Sequence, residues 1–246
     1  MSTEAQKIRA KKELEQMRSL VEATKDADWQ IRLKAVNEIP KQRKTAEMID
    51  ECVPALIKAT HDENSYIAKA AIPALGDIGP LAKLAVTRLT ELLEHEDNEV
   101  RRFSAFSLGK LGPSALVSAK NLVNLLSDTD QDVRKAVSWS LGILGPEVVP
   151  LLNEVIGSED INVRTGCVFA LGSIGPNAIS SLDNLIICLS DESSEVRYLA
   201  AKAIGNLRAA KEVEKAVPDL KKLLEDSDPD VPVSYTHLTL PTICSV

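Results

Sequence analysis

Aromatic side chains are nearly missing from this chain: 246 residues contain three Phe, three Tyr and two Trp. A core cannot rest on ring packing with so few rings. It falls instead to Leu, Val, Ile and Ala, which suit close helix–helix contact. Histidine is scarcer still, with three residues. The four cysteines, Cys52, Cys167, Cys188 and Cys244, show neither metal-ligand spacing nor a disulfide framework. A reduced, cytoplasmic setting is therefore the expectation, with Cys167 a small buried hydrophobe. No apolar run approaches the roughly 18 residues of a membrane-spanning helix, and the N-terminus lacks a signal peptide's apolar segment. Excess positive charge is absent as well. A net charge of −7 argues against nonspecific affinity for nucleic acid or an anionic membrane. Lys7, Arg9, Lys11, Lys12 and Arg18, then Lys41, Arg43 and Lys44, make the N-terminal region locally basic, which reads as a solvated helix face. There is no Gly-rich phosphate loop. Nucleophiles with an adjacent base are missing too, so neither an enzyme nor a cofactor is expected.

What the chain has is repetition. Ile31, Ile67, Val100, Val133, Val163, Val196 and Val231 recur at spacings of 36, 33, 33, 30, 33 and 35 residues. Three residues before each stands Asp28, Asn64, Asp97, Asp130, Asp160, Ser193 or Asp228, all favoured helix N-caps. Arg32, Arg101, Arg134, Arg164 and Arg197 follow the aligned residue directly, with Ala68 the exception. Four helices end at Gly79, Gly112, Gly145 or Gly175, each followed by Pro, as expected for a left-handed closing residue and a helix-opening proline. Between these helices lie partners such as LAVTRLTELLEH and LDNLIICLSD, so each unit reads as a helical hairpin whose faces need neighbours. The first helix, roughly residues 4–24, is longer and more polar, as a capping element must be.

This D-x-x-V-R-x-x-A-x-x-x-L-G-x-[IL]-G pattern resembles the HEAT repeat, in particular the phycobilisome-lyase-like subgroup, over residues 4–231. The resemblance implies an all-α fold: a right-handed alpha-alpha superhelix of about seven hairpin units, the last truncated. It places the motif-bearing helices on the concave side, with the Asp and Arg positions forming ladders between repeats. Ala68 breaks that ladder, and the long first spacing with Ile39-Pro40 marks a degenerate first unit. The functions it implies are a protein-binding scaffold or regulatory subunit, or alternatively a phycobilin lyase-like chaperone subunit or a nucleic-acid-binding solenoid. The acidic charge makes nucleic acid the weaker partner. HEAT-like deoxyhypusine hydroxylases carry several His-Glu pairs within their repeats. Here His61-Asp62 and His95-Glu96 sit in loops at nearly equivalent positions, and exposed ridge histidines are the simpler reading than a bridged metal site.

Partner information must lie where the repeats differ. On a helical wheel the aligned residue and those 4, 7, 8 and 11 later face the core, so those 2, 6 and 9 later point away. The ninth is Gly in five copies (Gly76, Gly109, Gly142, Gly172, Gly205), an open position for an approaching backbone. The sixth includes Phe106, Trp139, Phe169 and Lys202; the second includes Arg102, Lys135 and Tyr198. Two readings stay open: these rings fill the inner curve of the superhelix, or with the cations they form a groove for an acidic or amphipathic peptide.

From Pro232 the pattern stops in mid-repeat. PVSYTHLTLPTICSV carries no charge and no helical period, and VSYTHLTLPT reads like a translated transposase sequencing adapter. Residues 232–246 are expected to be a non-native tail, with the natural protein continuing the helix begun at Val231.

Overall fold

A computed structural model describes residues 4–42, 45–207, 210–226, 228 and 231; the expected adapter-derived tail, together with Arg43, Lys44 and Pro229, lies outside the described residues. Among the described residues the fold is all-α, without a strand. The chain forms two compact units, Met1–Ser118 and Ala119–Val246.

The first unit holds α1 (Glu4–Ala23), α2 (Trp29–Glu38), α3 (Ala46–Ala59), α4 (Ser65–Ile78), α5 (Val86–Glu91) and α6 (Asn98–Leu111). Helices α2, α4 and α6, which carry the repeated motif, pack side by side in that order, and α1, α3 and α5 form a second layer against them. Helix α1 buries only Met17. The second unit holds α7 (Ala119–Asn124), α8 (Gln131–Leu144), α9 (Val149–Val155), α10 (Ile161–Ile174), α11 (Leu182–Cys188), α12 (Ser194–Leu207), α13 (Ala210–Val213) and α14 (Val217–Lys222). Here α8, α10 and α12 make one layer, with α7, α9 and α11 behind them.

The caps form as the sequence implies. Asp28, Asn64, Asp97, Asp130 and Asp160 each accept a hydrogen bond from the backbone N–H two residues on. The stripe also forms, with Ile67, Val100, Val133, Val196 and Val231 buried and Val163 half-buried. Ile31 differs from the expectation: it is 42% exposed, and α2 buries Ala35 and Val36 instead.

Two further details differ from expectation. The Gly-Pro stops are not left-handed caps: Gly145 has φ 89° and ψ −159°, a mirror-extended conformation. The following Pro146 explains this, since a residue before proline is forced toward extended ψ, and only glycine combines that with positive φ. The ninth-position glycines also do not point away. Gly76, Gly109, Gly172 and Gly205 are buried and Gly142 is half-buried. A Cβ on Gly142 would lie 2.7 Å from Ser173 Cβ, and one on Gly172 would lie 3.1 Å from Ala203 Cβ. Gly76, Gly142 and Gly172 face the motif helix of the following repeat and permit its close approach. A helix flanked on both sides and from behind buries more of its circumference than a simple stripe. In α10, which lies between α8 and α12 with α9 behind it, the buried set therefore includes Gly166 and Ala170 as well as Cys167, Val168 and Leu171.

Candidate functional site

The loop before each motif helix is built by one recurrent turn. The residue two before the cap accepts a hydrogen bond from the cap's own N–H: Asp26, Asp62, His95, Asp128, Ser158, Asp191 and Asp226 in succession. His95 thus stands in a turn position through Nδ1, whereas His61 lies one place earlier relative to its cap, so the two histidines are not equivalent. Among the described residues no cluster of His, Cys, Asp and Glu could hold a metal ion.

The same position carries the inter-repeat ladder. Each motif arginine donates from Nη1 to two carbonyls of its own preceding loop, as Arg164 does to Ser158 and Glu159 at 2.9 and 3.0 Å. In Arg32, Arg164 and Arg197 the Nε/Nη2 edge then grips the turn aspartate of the next repeat, Asp62, Asp191 and Asp226 respectively, each bidentately. The ladder carboxylates are therefore these turn residues rather than the N-cap aspartates. Hydrogen bonding to Arg32 holds the Asp62 carboxyl below the usual carboxylate range, and Arg197 does the same for Asp226. Where Ala68 interrupts the arginine column, Lys69 reaches forward to Asp97 at 2.7 Å and Glu99 at 2.6 Å.

In the second unit, α8, α10 and α12 enclose a cavity of about 610 Å³, a size suited to a few side chains of a ligand. Trp139 from α8 and Phe169 from α10 line it, with Ile161, Gly166 and Leu199; Arg134 and Lys135 are its cations and Glu195 its carboxylate. Phe169 is 39% exposed and Trp139 half-buried. Gly166 keeps this wall thin, because a Cβ there would fall 2.5 Å from Leu126 Cδ2 and 2.8 Å from Ser138 Oγ.

Of the residues singled out from sequence, the cavity brings together Lys135, Trp139 and Phe169. Tyr198, half-buried, and Lys202, exposed, stand on α12 outside its lining. Arg102 and Phe106 belong to the first unit. There the Arg102 guanidinium lies 4.7 Å from the Phe103 ring centre rather than over Phe106, which is paired instead with Lys110 at 4.8 Å. Sequence reasoning passed over Arg134, Ile161 and Leu199. Ile161, 43% exposed, was detectable as an apolar residue directly after a cap, where α4, α6, α8 and α12 carry Ser65, Asn98, Gln131 and Ser194. It also missed the stacked pair Trp29 and Tyr66, 6.5 Å apart. The first unit has a cavity of about 800 Å³ lined by Lys34, Glu38, Lys41, Asp77 and Pro73, but its mixed charges and lack of a ring favour hydration over recognition.

No cysteine or histidine is among the residues that line the cavity. Burial pushes the Cys167 thiol up to about 12 and the Cys188 thiol up to about 11, so both stay protonated and inert at neutral pH. Among the described residues no helix is long and apolar enough to cross a membrane.

No curated protein matches the chain significantly in sequence. Solved structures do match in fold. Kap95p, in a structure of its complex with RanGDP, is 18% identical with a TM-score of 0.66; the alignment covers 92% of this chain and 35% of Kap95p. An archaeal HEAT-like repeats protein from Thermococcus onnurineus NA1 is 18% identical with a TM-score of 0.60, covering 94% of this chain and 97% of its own. YibA of E. coli is 16% identical with a TM-score of 0.54, covering 94% and 81%. The family model for HEAT repeats matches residues 17–109, 86–155, 119–188 and 148–233. With the repeat matched over nearly the whole chain, the protein belongs to the HEAT-repeat family.

Proposed function

We propose that the protein is a non-enzymatic scaffold or regulatory subunit that binds a protein or peptide on the face formed by α8, α10 and α12. The observation that carries this reading is the cavity in which Trp139 and Phe169 stand beside Arg134 and Lys135. Large rings held on packed helices lose little entropy on binding, and rings with adjacent cations are the composition of interface hot spots. The Kap95p structure captures a HEAT-repeat protein bound to a protein partner, Ran, which supports the reading by analogy of fold. The other residues singled out from sequence, Arg102, Phe106, Tyr198 and Lys202, are proposed as secondary contacts. A cytoplasmic location accords with the reduced thiols.

Trp139→Ala tests the proposal. A half-buried ring outside the main stripe contributes modestly to stability, so the variant should unfold within about 1–2 kcal/mol of wild type. Partner affinity, measured by calorimetry or fluorescence, should drop roughly 30-fold or more. Unchanged affinity would remove the cavity from the binding surface, and gross unfolding would show that the ring is there for packing.

A further inference from the structure

The arginine ladder has one rung whose partner is replaced, and that rung opens onto the cavity. Arg134 holds the same pose as its counterparts: its Nη1 donates to the Asp128 and Thr129 carbonyls at 2.6 and 3.1 Å. Arg32, Arg164 and Arg197 all make the same pair of carbonyl bonds, and in each the Nε/Nη2 edge then meets a carboxylate of the next repeat. The position that would supply the carboxylate to Arg134 is Ser158. Its Oγ still makes the turn, accepting from the Asp160 N–H at 3.2 Å, but it carries no charge. Among the described residues Arg134 forms no ion pair, and it lines the cavity together with Trp139 and Phe169.

We propose that Arg134 is a carboxylate receptor: it takes an Asp or Glu side chain of a partner peptide whose neighbouring apolar side chain sits between Trp139 and Phe169. The inference rests on the protein-binding reading above and names its specificity. A guanidinium already oriented by two carbonyl bonds presents a planar pair of donors, the geometry that carboxylates satisfy bidentately. Lys135 adds a second positive charge, held only loosely by Asp132 at 3.8 Å and 66% exposed. The cavity's one carboxylate, Glu195, comes from α12 rather than from the Arg134 helix or its neighbouring loop. Charge and shape together select an acidic residue beside a hydrophobic one. A purely basic or purely apolar segment does not fit.

The discriminating variant is Ser158→Asp, which supplies the missing rung from within the chain. A displayed library of random peptides, capped at both ends, is selected in parallel against wild type, Ser158→Asp and Trp139→Ala. The best wild-type sequence is then synthesised in its acidic form and with Asn or Gln in place of Asp or Glu. Wild type should enrich Asp or Glu next to an aromatic or aliphatic residue and prefer the acidic form by roughly tenfold or more. Ser158→Asp should melt roughly 2–4 °C higher, having gained an ion pair, and should lose the acidic preference while still binding the neutral peptide. Trp139→Ala should enrich neither. Peptides enriched by wild type without an acidic residue, or an acidic preference that survives Ser158→Asp, would overturn the carboxylate receptor and leave the scaffold reading standing. Failure of wild type to enrich any peptide would defeat both.

Discussion

Gly76→Leu should destabilise the first unit by about 3–5 kcal/mol, although it adds an apolar side chain to a helix. Gly76 sits where α4 meets α6, and an ideal Cβ there would be 2.7 Å from Ser107 Oγ, 2.9 Å from Ser107 Cβ and 3.0 Å from Ser107 Cα. The last of these is backbone. No rotamer change relieves it, and the two helices must separate. Ser107 also donates to the Ile72 carbonyl at 3.0 Å, a buried bond between the same helices that separation would break. Overpacking and a lost buried hydrogen bond act in the same direction. Denaturant titration should show the midpoint shift, and Gly76→Ala should fall between Gly76→Leu and wild type. A loss below 1 kcal/mol for the leucine variant would mean that the α4–α6 contact is looser than the geometry indicates.

Arg164→Ala should cost about 2–4 kcal/mol, more than an ordinary surface charge. Arg164 is 8% exposed and bonds Asp191 through Nε and Nη2 at 2.8 and 3.1 Å, Glu192 at 3.0 Å and two loop carbonyls. Its removal strands two carbonyls and a carboxylate at the seam between repeats. Lysine should rescue only part, since a single ammonium cannot reproduce a planar fork. The ladder also sets an acid limit. Asp62 and Asp226 are held below the ordinary carboxylate value, so folding favours their ionised forms. Their contribution is complete above about pH 4, the unfolded value, and fades as pH falls through the lower folded values. Asp62→Asn should lower stability at neutral pH and flatten that acid dependence. Equal slopes in wild type and variant would show that the rung contributes nothing.

Much of this fold was legible because its signals are local. A cap residue, an aligned apolar residue and a Gly-Pro stop each act within one helix, so seven caps, seven aligned residues and four stops in one chain reinforce each other. What failed depends on packing between copies. The wheel gave the ninth position to solvent because a single helix has only one core side. In the folded unit Gly142 and Gly172 face the following helix, and small residues such as Ser173 and Ala203 stand opposite. The same limit applies to the site. Trp139 and Phe169 could be paired by register, since they hold equivalent places in adjacent repeats. The pose of Arg134 and its missing partner could not, because the partner column lies in the loops, two residues before each cap. That column was nonetheless in the sequence as Asp62, His95, Asp128, Ser158, Asp191 and Asp226. Its meaning needed the bidentate contacts, which show that a serine there frees an arginine some 24 residues upstream.

The division of labour that results is simple. Caps, glycines and the ladder build the repeats, while Arg134, Lys135, Trp139 and Phe169 are the residues to which we assign recognition. The most direct test is site-specific photo-crosslinking in the native cell, with a photoreactive residue placed singly at Lys135, Phe169, Lys120 or Glu154. The first two belong to the α8–α10 face; Lys120 on α7 and Glu154 on α9 are exposed in the layer behind it. The account predicts one recurrent adduct from positions 135 and 169, suppressed by the selected acidic peptide, and none from 120 or 154. The same adduct from position 120 or 154, with the cavity positions silent, would place the partner on the opposite layer and contradict it.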